Sequence, residues 1–113
     1  MNDLIEDILD WGEARGLHEA DLRPQLVKLI EELGEIAAGV ARSDPDQIVD
    51  GVGDLLVVLI NFGACYAKQI YPNDIEEQLR MERYFLEICL RAAYKEIKDR
   101  QGRTVDGVFV KND

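Results

Sequence analysis

The sequence has little of several residue types that build metal sites and cross-links in small proteins. It contains one histidine, His18, and two cysteines, Cys65 and Cys89, among 113 residues. A single histidine excludes a ferritin-like di-iron bundle, which needs two Glu-x-x-His pairs, and leaves too few nitrogen ligands for zinc. The cysteines lack metal-site spacing and could form a disulfide only if their helices touched. We expect both to be small buried residues in a reducing compartment.

Basic residues are also scarce, since 13 Lys and Arg stand against 23 Asp and Glu for a net charge of −10. This charge argues against binding to nucleic acid or to an anionic membrane surface. The uncharged run at 55–67 has 13 residues, fewer than the ~20 that span a bilayer. The acidic N-terminus does not resemble a signal peptide. We therefore expect a cytoplasmic protein that forms a single domain over residues 1–113.

Capping and terminating residues divide the chain into four predicted helices. They are expected over residues 3–14, from about 24 to 42, over 45–70, and from about 74 to 100. Asp44 and Asn73 are predicted N-caps, and Pro45 suits a first helical position. Gly16 and Gly102 are predicted to end the first and the fourth helix.

The C-terminal tail changes from a helical period to an extended one. Asp106-Gly107 between short β-branched pairs is typical of a two-residue hairpin. With short connections elsewhere, the sequence predicts an all-α, four-helix up-and-down bundle with a short C-terminal β-hairpin. The third helix is apolar on more than one face, so we expect a homo-oligomer, a dimer or a tetramer, that covers it.

The second predicted helix separates into an apolar and a charged stripe when wound at about 100° per residue. The apolar stripe, expected to be core, consists of Leu26, Leu29, Ile30, Leu33, Ile36, Ala37 and Val40. The second stripe consists of Gln25, Lys28, Glu32, Glu35 and Gly39. Glu32 and Glu35 are predicted to converge, while Glu31 lies on the flank and can pair with Lys28.

The third predicted helix places Gln47, Asp50, Asp54 and Asn61 along one line. Gly51 and Gly53 lie beside these aspartates, and each costs ~1 kcal/mol in helix propensity. Because glycine has no side chain, the two glycines indicate that a neighbouring helix or a ligand comes close to the third predicted helix at this point. Carboxylates from two facing helices repel one another unless they are protonated or bridged by cations. Oxygen ligands alone favour magnesium, manganese or calcium. The alternative is that the glutamates form a solvated face.

The segments "EELGE" (31–35) and "DGVGD" (50–54) resemble the MazG-like nucleoside triphosphate pyrophosphohydrolases, whose signature is Glu-Glu-x-x-Glu, a spacer and Glu-x-x-Asp. The likeness extends to "WGEARGL", "QLVKL" and "AAYKEIKDRQGRTVDGVFVK", and so covers most of the chain. The chain is similar to the small single-domain members of this family that bacteriophages often carry.

The resemblance implies an all-α fold and hydrolysis of (deoxy)nucleoside triphosphates to the monophosphate and pyrophosphate. It implies Mg²⁺ between two helices, with Mn²⁺ as an alternative. The family's metal ligands correspond to Glu32, Glu35, Asp54 and position 51. Because residue 51 is glycine here, Asp50 is expected to be the substitute ligand. Glu31 is a candidate for orienting or deprotonating the attacking water, and Glu35 competes for that role.

Substrate-binding candidates are cationic or amide side chains. Lys28, Lys98 and Arg100 are candidates for the triphosphate, although the last two would also suit a helix C-terminus. Asn61 could contact the base or ribose, or satisfy a buried carbonyl. An aromatic such as Trp11 could stack on the base or pack in the core. Two other functions stay open: a catalytically impaired nucleotide- and metal-binding module, and a structural helical oligomer.

Overall fold

A computed structural model describes residues 1–112. Within them the chain forms four α-helices and one two-stranded antiparallel hairpin, which confirms the predicted class. The elements are α1 (Asn2–Ala14), α2 (Leu22–Ala41), α3 (Pro45–Ile70), α4 (Ile75–Ile97), β1 (Gly102–Val105) and β2 (Val108–Lys111), with a 3₁₀ helix (Leu17–Glu19) between α1 and α2.

Aspartates cap three of the helices. Asp21 accepts a hydrogen bond from the backbone N–H of Arg23, and Asp44 accepts one from Gln47, as its predicted role requires. The cap of α4 is Asp74 rather than the predicted Asn73. A carboxylate at this position both accepts a backbone N–H and places negative charge at the positive end of the helix dipole.

Helix α3 is the centre of the fold, because α1, α2 and α4 all contact it. Within residues 1–112, α2 packs on α3 but on neither α1 nor α4. Glycines allow the close approach: a Cβ at Gly39 would meet Ile48, and one at Gly63 would overlap the ring of Phe85. The backbone of α4 leaves helical geometry at Tyr84, one residue before that contact. Because α2 contacts neither α1 nor α4 within residues 1–112, the α2–α3 pair is open on the side of α2 that faces away from α3.

The core lies mainly along α3, where Ile60, Ala64, Cys65 and Ala67 are at most 4% exposed. By length and composition α3 could cross a membrane, but core helices meet the same criterion, and 39% of its apolar window is buried. The expectation that the apolar stripe of α2 is core is wrong within the protomer, since Leu26, Ile30, Leu33 and Val40 are 52–64% exposed. Helix α2 packs instead through the adjacent face that holds Gln25, Glu32 and Gly39, which are buried.

The hairpin pairs Gly102 with Lys111 and Val105 with Val108. The turn is formed by Asp106 and Gly107, both with positive φ, as a two-residue hairpin turn requires. Helix α4 ends at Ile97, before the predicted end at residue 100. In the part of the chain that the structure describes, the hairpin contacts no helix, and all of its residues are exposed.

Candidate functional site

Two adjoining cavities lie between α2 and α3. The first, the acidic cavity, has a volume of about 520 Å³. Its lining consists mostly of carboxylates from α2, from α3 and from the N-cap of α3: Glu32, Glu35, Asp44, Asp46, Gln47, Asp50, Gly51 and Asp54. The predicted metal ligands Glu32, Glu35, Asp50 and Asp54 are thus brought to one cavity.

The second, the apolar cavity, has a volume of about 560 Å³ and includes α1 and the 3₁₀ helix in its walls. It is lined by Trp11, Leu17, Pro24, Gln25, Lys28, Glu32, Asp54, Val57, Val58 and Asn61. Glu32 and Asp54 line both cavities. A ligand that occupied both would need an end compatible with carboxylates, directly or through a cation, and an end compatible with aromatic and aliphatic side chains.

Glu32 is the buried carboxylate of the site, at 8% exposed. Lys28 lies one turn earlier, and its Nζ is 3.3 Å from Glu32 Oε1 and 3.4 Å from Glu31 Oε2. These two carboxylates raise the pKa of Lys28, mainly through the hydrogen bond to Glu32. The predicted Lys28–Glu31 pair is present. Glu31 itself lies outside both cavity linings, whereas Glu35, the competing candidate for the water, lines the acidic one.

Glu35 is exposed and is joined to α3 through Gln47. The Nε2 of Gln47 donates to the backbone carbonyl of Glu35 at 3.2 Å and to its Oε2 at 3.4 Å. Asp50 and Asp54 are exposed on α3, one turn apart on the line that the helical wheel predicts. Three of the four predicted metal ligands are therefore accessible in the single chain, and the fourth is paired with a lysine.

Gly51 is a packing residue between α2 and α3. A Cβ at position 51 would meet Ile36 Cγ1 at 2.8 Å and the Ile36 backbone N at 3.3 Å. A glutamate at this position would therefore push the two helices apart. Gly53 differs, because nothing lies within 4 Å of its Cβ position. Asp50, which is exposed on α3 and lines the acidic cavity, is the carboxylate next to position 51.

The donor set of the acidic cavity suits a hard divalent cation. Glu32, Glu35, Asp50 and Asp54 supply oxygen ligands alone, which Mg²⁺ prefers in proteins. Among residues 1–112, no group of three or more His, Cys, Asp or Glu side chains is arranged closely enough to hold a metal ion. Lys28 and Gln47 hold two of these carboxylates instead. Cation binding would therefore have to replace both of these contacts.

Asn61 lies in the wall of the apolar cavity, but its amide is engaged inside the protein. Its Nδ2 donates to the carbonyl of Val57 at 3.0 Å, and its Oδ1 is 2.9 Å from Nε2 of His18. Asn61 is 1% exposed and His18 is 4% exposed. This favours the second expectation for Asn61, a buried polar group that satisfies others.

One face of α3 fastens the whole 3₁₀ helix, a feature that sequence reasoning missed. Besides the Asn61–His18 bond, the thiol of Cys65 donates to the Leu17 carbonyl at 2.9 Å, and Lys68 lies 2.6 Å from Glu19. Burial raises the pKa of the Cys65 thiol. Asn61, Cys65 and Lys68 have the spacing i, i+4, i+7 of one helical face. That spacing is visible in the sequence and indicates one shared face. It does not indicate that the 3₁₀ helix packs on that face.

The structure also places the other residues that the sequence singled out. Lys98 and Arg100 follow α4, are exposed, and line neither cavity. Trp11 is 46% exposed at the apolar cavity, and the guanidinium of Arg15 lies 4.3 Å from its ring centroid. Cys65 is buried as expected, but Cys89 is exposed and both are free thiols. The expectation that Cys89 is buried is therefore wrong within the protomer.

Over 81 residues the chain is 40% identical to an uncharacterized 18.2 kDa protein from the rep–hol intergenic region of Haemophilus phage HP1 (strain HP1c1). The match covers 70% of this chain and 47% of that protein. The chain thus spans about half the length of this relative. No protein-family model matches the chain, and no solved structure matches it.

Proposed function

We propose that this protein is a MazG-like pyrophosphohydrolase that converts (deoxy)nucleoside triphosphates to the monophosphate and pyrophosphate. The observation that carries the proposal is the pair of adjoining cavities that share Glu32 and Asp54. A nucleoside triphosphate has the two ends that such a pair requires, a polyanion that needs a cation and a planar base. The motifs "EELGE" and "DGVGD" supply four of the six carboxylates that line the acidic cavity and also carry the family resemblance.

The proposed cofactor is Mg²⁺, with Mn²⁺ as an alternative, held by Glu32, Glu35, Asp50 and Asp54. When bound, the cation supplies positive charge to the phosphates and makes a bound water more acidic. Lys28 then has a second role, because its ammonium would be released from Glu32 toward the phosphates. Lys28 lines the apolar cavity beside Glu32, at the boundary where the triphosphate would pass.

The reaction requires water to attack the α-phosphorus while the bond from that phosphorus to the α–β bridging oxygen breaks. Pyrophosphate leaves with that oxygen, and the water loses a proton to a carboxylate. We assign that carboxylate to Glu35, which lines the acidic cavity and would accept the proton on the oxygen that does not hold the cation. Glu31 is the less suitable candidate, because it pairs with Lys28 outside the cavity. Catalysis of this kind depends mainly on positioning and charge neutralisation.

The base is assigned to the apolar cavity, against Trp11 and the aliphatic side chains of α3. Indole rings offer a flat, polarisable surface for stacking. Asn61 is assigned an indirect role, because both ends of its amide already bond to protein groups. It supports the wall by holding the 3₁₀ helix against α3.

A homo-oligomer is part of the proposal. Leu26, Val27, Ile30, Leu33 and Val40 form an exposed apolar surface on α2. Contiguous apolar surfaces of this kind mark interaction sites. A second copy that covers this surface would restore the expected core environment of the α2 apolar stripe, and it would close the open side of the α2–α3 pair.

The second candidate is a nucleotide- and metal-binding module without turnover, favoured by the glycine at position 51. Assays of pyrophosphate release from canonical and modified (d)NTPs, with and without Mg²⁺, distinguish the two. Metal-dependent release with a monophosphate product supports the enzyme. Metal-dependent nucleotide binding without release supports the module. The absence of both would leave a structural helical oligomer.

A further inference from the structure

The C-terminal arm, defined as residues 91–112, is a separate feature of the surface. It comprises the last turns of α4 and the hairpin, and each of its residues is exposed. The hairpin contacts no helix within residues 1–112. A lone two-stranded hairpin is marginally stable in water, so the arm needs another surface to pack against.

The charge of the arm is opposite to that of the rest of the protein. Its six Lys and Arg against three Asp and Glu give a net charge of +3. The remainder has seven basic and twenty acidic residues, a net charge of −13. Opposite charges of this size favour association between the arm and an acidic part of the protein.

The arm also carries large apolar side chains next to its cations. Tyr94, Ile97 and Phe109 are 49–62% exposed. Lys98 and Arg100 lie one and three residues after Ile97, and neither forms an ion pair within residues 1–112. A complementary surface would therefore combine an apolar groove with carboxylates at its edge.

Such a surface is present on the other side of the site aspartates. A groove of about 450 Å³ between α1 and α3 is lined by apolar side chains that include Leu4, Ile8, Val49 and Leu56, and it also includes Asp50 and Asp54. Leu4 is 57% exposed and Val49 is 71% exposed. The same two aspartates line the acidic cavity. A chain seated in this groove would reach the edge of the candidate active site.

We propose that the arm of a second copy docks in this groove and brings Lys98 and Arg100 to the acidic cavity, where they bind the triphosphate. This inference rests on the proposed function for the role of the cations, but not for the docking. A second copy is the fitting occupant because each copy offers one arm and one groove, which a two-fold pair satisfies together. Docking of the arm would also supply cations to the acidic cavity, whose lining is mostly carboxylates. Within one copy, Lys28 is the cation that contacts Glu32, the carboxylate shared by the two cavities.

Docking is tested by zero-length carbodiimide cross-linking of a mixture of ¹⁵N-labelled and unlabelled protein, followed by mass spectrometry. The expected products join Lys98 to Asp50 or Asp54, with the two peptides from differently labelled copies. The Lys68–Glu19 pair, at 2.6 Å within one chain, is the control and must give products of uniform label. If Lys98 links to these aspartates only within one copy, or does not link to them, the docking is overturned.

The catalytic part is tested by co-expressing two variants that are each inactive. One copy carries Asp54→Asn and keeps its arm, and the other carries Lys98→Glu and Arg100→Glu and keeps its site. If the arm acts on the second copy, random pairing restores roughly a quarter of the wild-type activity, because half of the dimers then hold one intact site of two. No recovery from an assembled mixture overturns the assignment of the cations.

The two proposals fail differently. Mixed-label cross-links from a protein that releases no pyrophosphate retain the docking and remove the enzyme. Pyrophosphate release without mixed-label cross-links retains the enzyme and removes the docking. A control variant, Arg23→Glu with Arg80→Glu, reverses two exposed charges outside the arm and should keep the mixed-label cross-links.

Discussion

The Nε2 of His18 and the Oδ1 of Asn61 lie 2.9 Å apart in the interior, and this pair joins the 3₁₀ helix to α3. Since Nδ2 of Asn61 donates to the Val57 carbonyl, Oδ1 is the acceptor and Nε2 of His18 carries the hydrogen. Gly12 completes the junction, because any Cβ there would overlap the Asn61 amide. The wall of the apolar cavity depends on this contact among α1, α3 and the 3₁₀ helix.

Replacing Asn61 by leucine should destabilise the fold by about 1–3 kcal/mol, because it leaves the buried N–H of His18 without its acceptor. Urea unfolding at one protein concentration measures the change in free energy of unfolding. The matched control is Gln69→Leu, an exposed position on the same helix, which should stay within about 0.5 kcal/mol of wild type. Equal effects of the two variants would contradict a structural role for this bond.

Gly12→Ala should lower the free energy of unfolding by about 1–3 kcal/mol, since the new methyl would overlap Asn61. Gly34→Ala is its control within a helix, because nothing lies within 4 Å of the Cβ position. There the substitution should stabilise α2 by about 0.5–1 kcal/mol, through the better helix propensity of alanine. Thermal or urea unfolding of both variants would test the pair, and a stabilised Gly12→Ala protein would refute the close contact.

Asp54→Asn should abolish Mg²⁺-dependent pyrophosphate release while leaving the circular dichroism spectrum and the melting temperature close to those of wild type. The side chain is exposed, so the loss of its charge would remove a proposed metal ligand and no packing contact. Asp7→Asn, at an exposed position of α1 outside the cavities, should keep full activity. A fully active Asp54→Asn protein would show that the proposed metal site is wrong.

Gly51→Glu, which restores the residue type of the family signature, should destabilise the protein by about 1–3 kcal/mol and should not increase activity. The reason is the contact with Ile36, which a side chain at position 51 would force apart. Asp50→Asn should instead lower the affinity for Mg²⁺, measured by titration calorimetry, with little loss of stability. If Gly51→Glu raised the affinity for Mg²⁺ in a stable protein, Asp50 would not be the substitute ligand.

Stability should depend on pH through Glu82 in α4, whose Oε1 is buried without a hydrogen-bond partner among residues 1–112. Burial raises the pKa of this carboxyl above its ordinary 4.5, so folding favours the protonated form. The stabilisation from protonated Glu82 is fully present below pH 4.5, and it is lost as the pH rises through the raised pKa of the folded protein.

Glu82→Gln should therefore stabilise the protein at neutral pH and remove this part of the pH dependence. Urea unfolding across pH 4–8 provides the measurement, and the exposed Glu96→Gln should retain the wild-type profile. A Glu82→Gln protein that is less stable at neutral pH than wild type would indicate that the charged form has a partner.

The helices and the hairpin were predictable because the signals are local. Capping depends on residues three positions apart, and Asp106-Gly107 specifies its turn by backbone conformation alone. Helical periodicity also predicted that Glu32 and Glu35 share one face of α2 and that Asp50 and Asp54 share one face of α3. The error at Asn73 has the same local origin, because two adjacent residues could both cap.

What the sequence alone determined was thus the set of elements and the face on which each charged residue lies. Only the tertiary structure decided which face of α2 packs on α3, because a stripe pattern does not say which of two adjacent faces meets a neighbour. It also decided that Gly51 packs on Ile36, that Asn61 bonds to His18, and that the hairpin leaves the bundle. These contacts join residues far apart in the chain, and their energies depend on shape and burial that no local pattern contains.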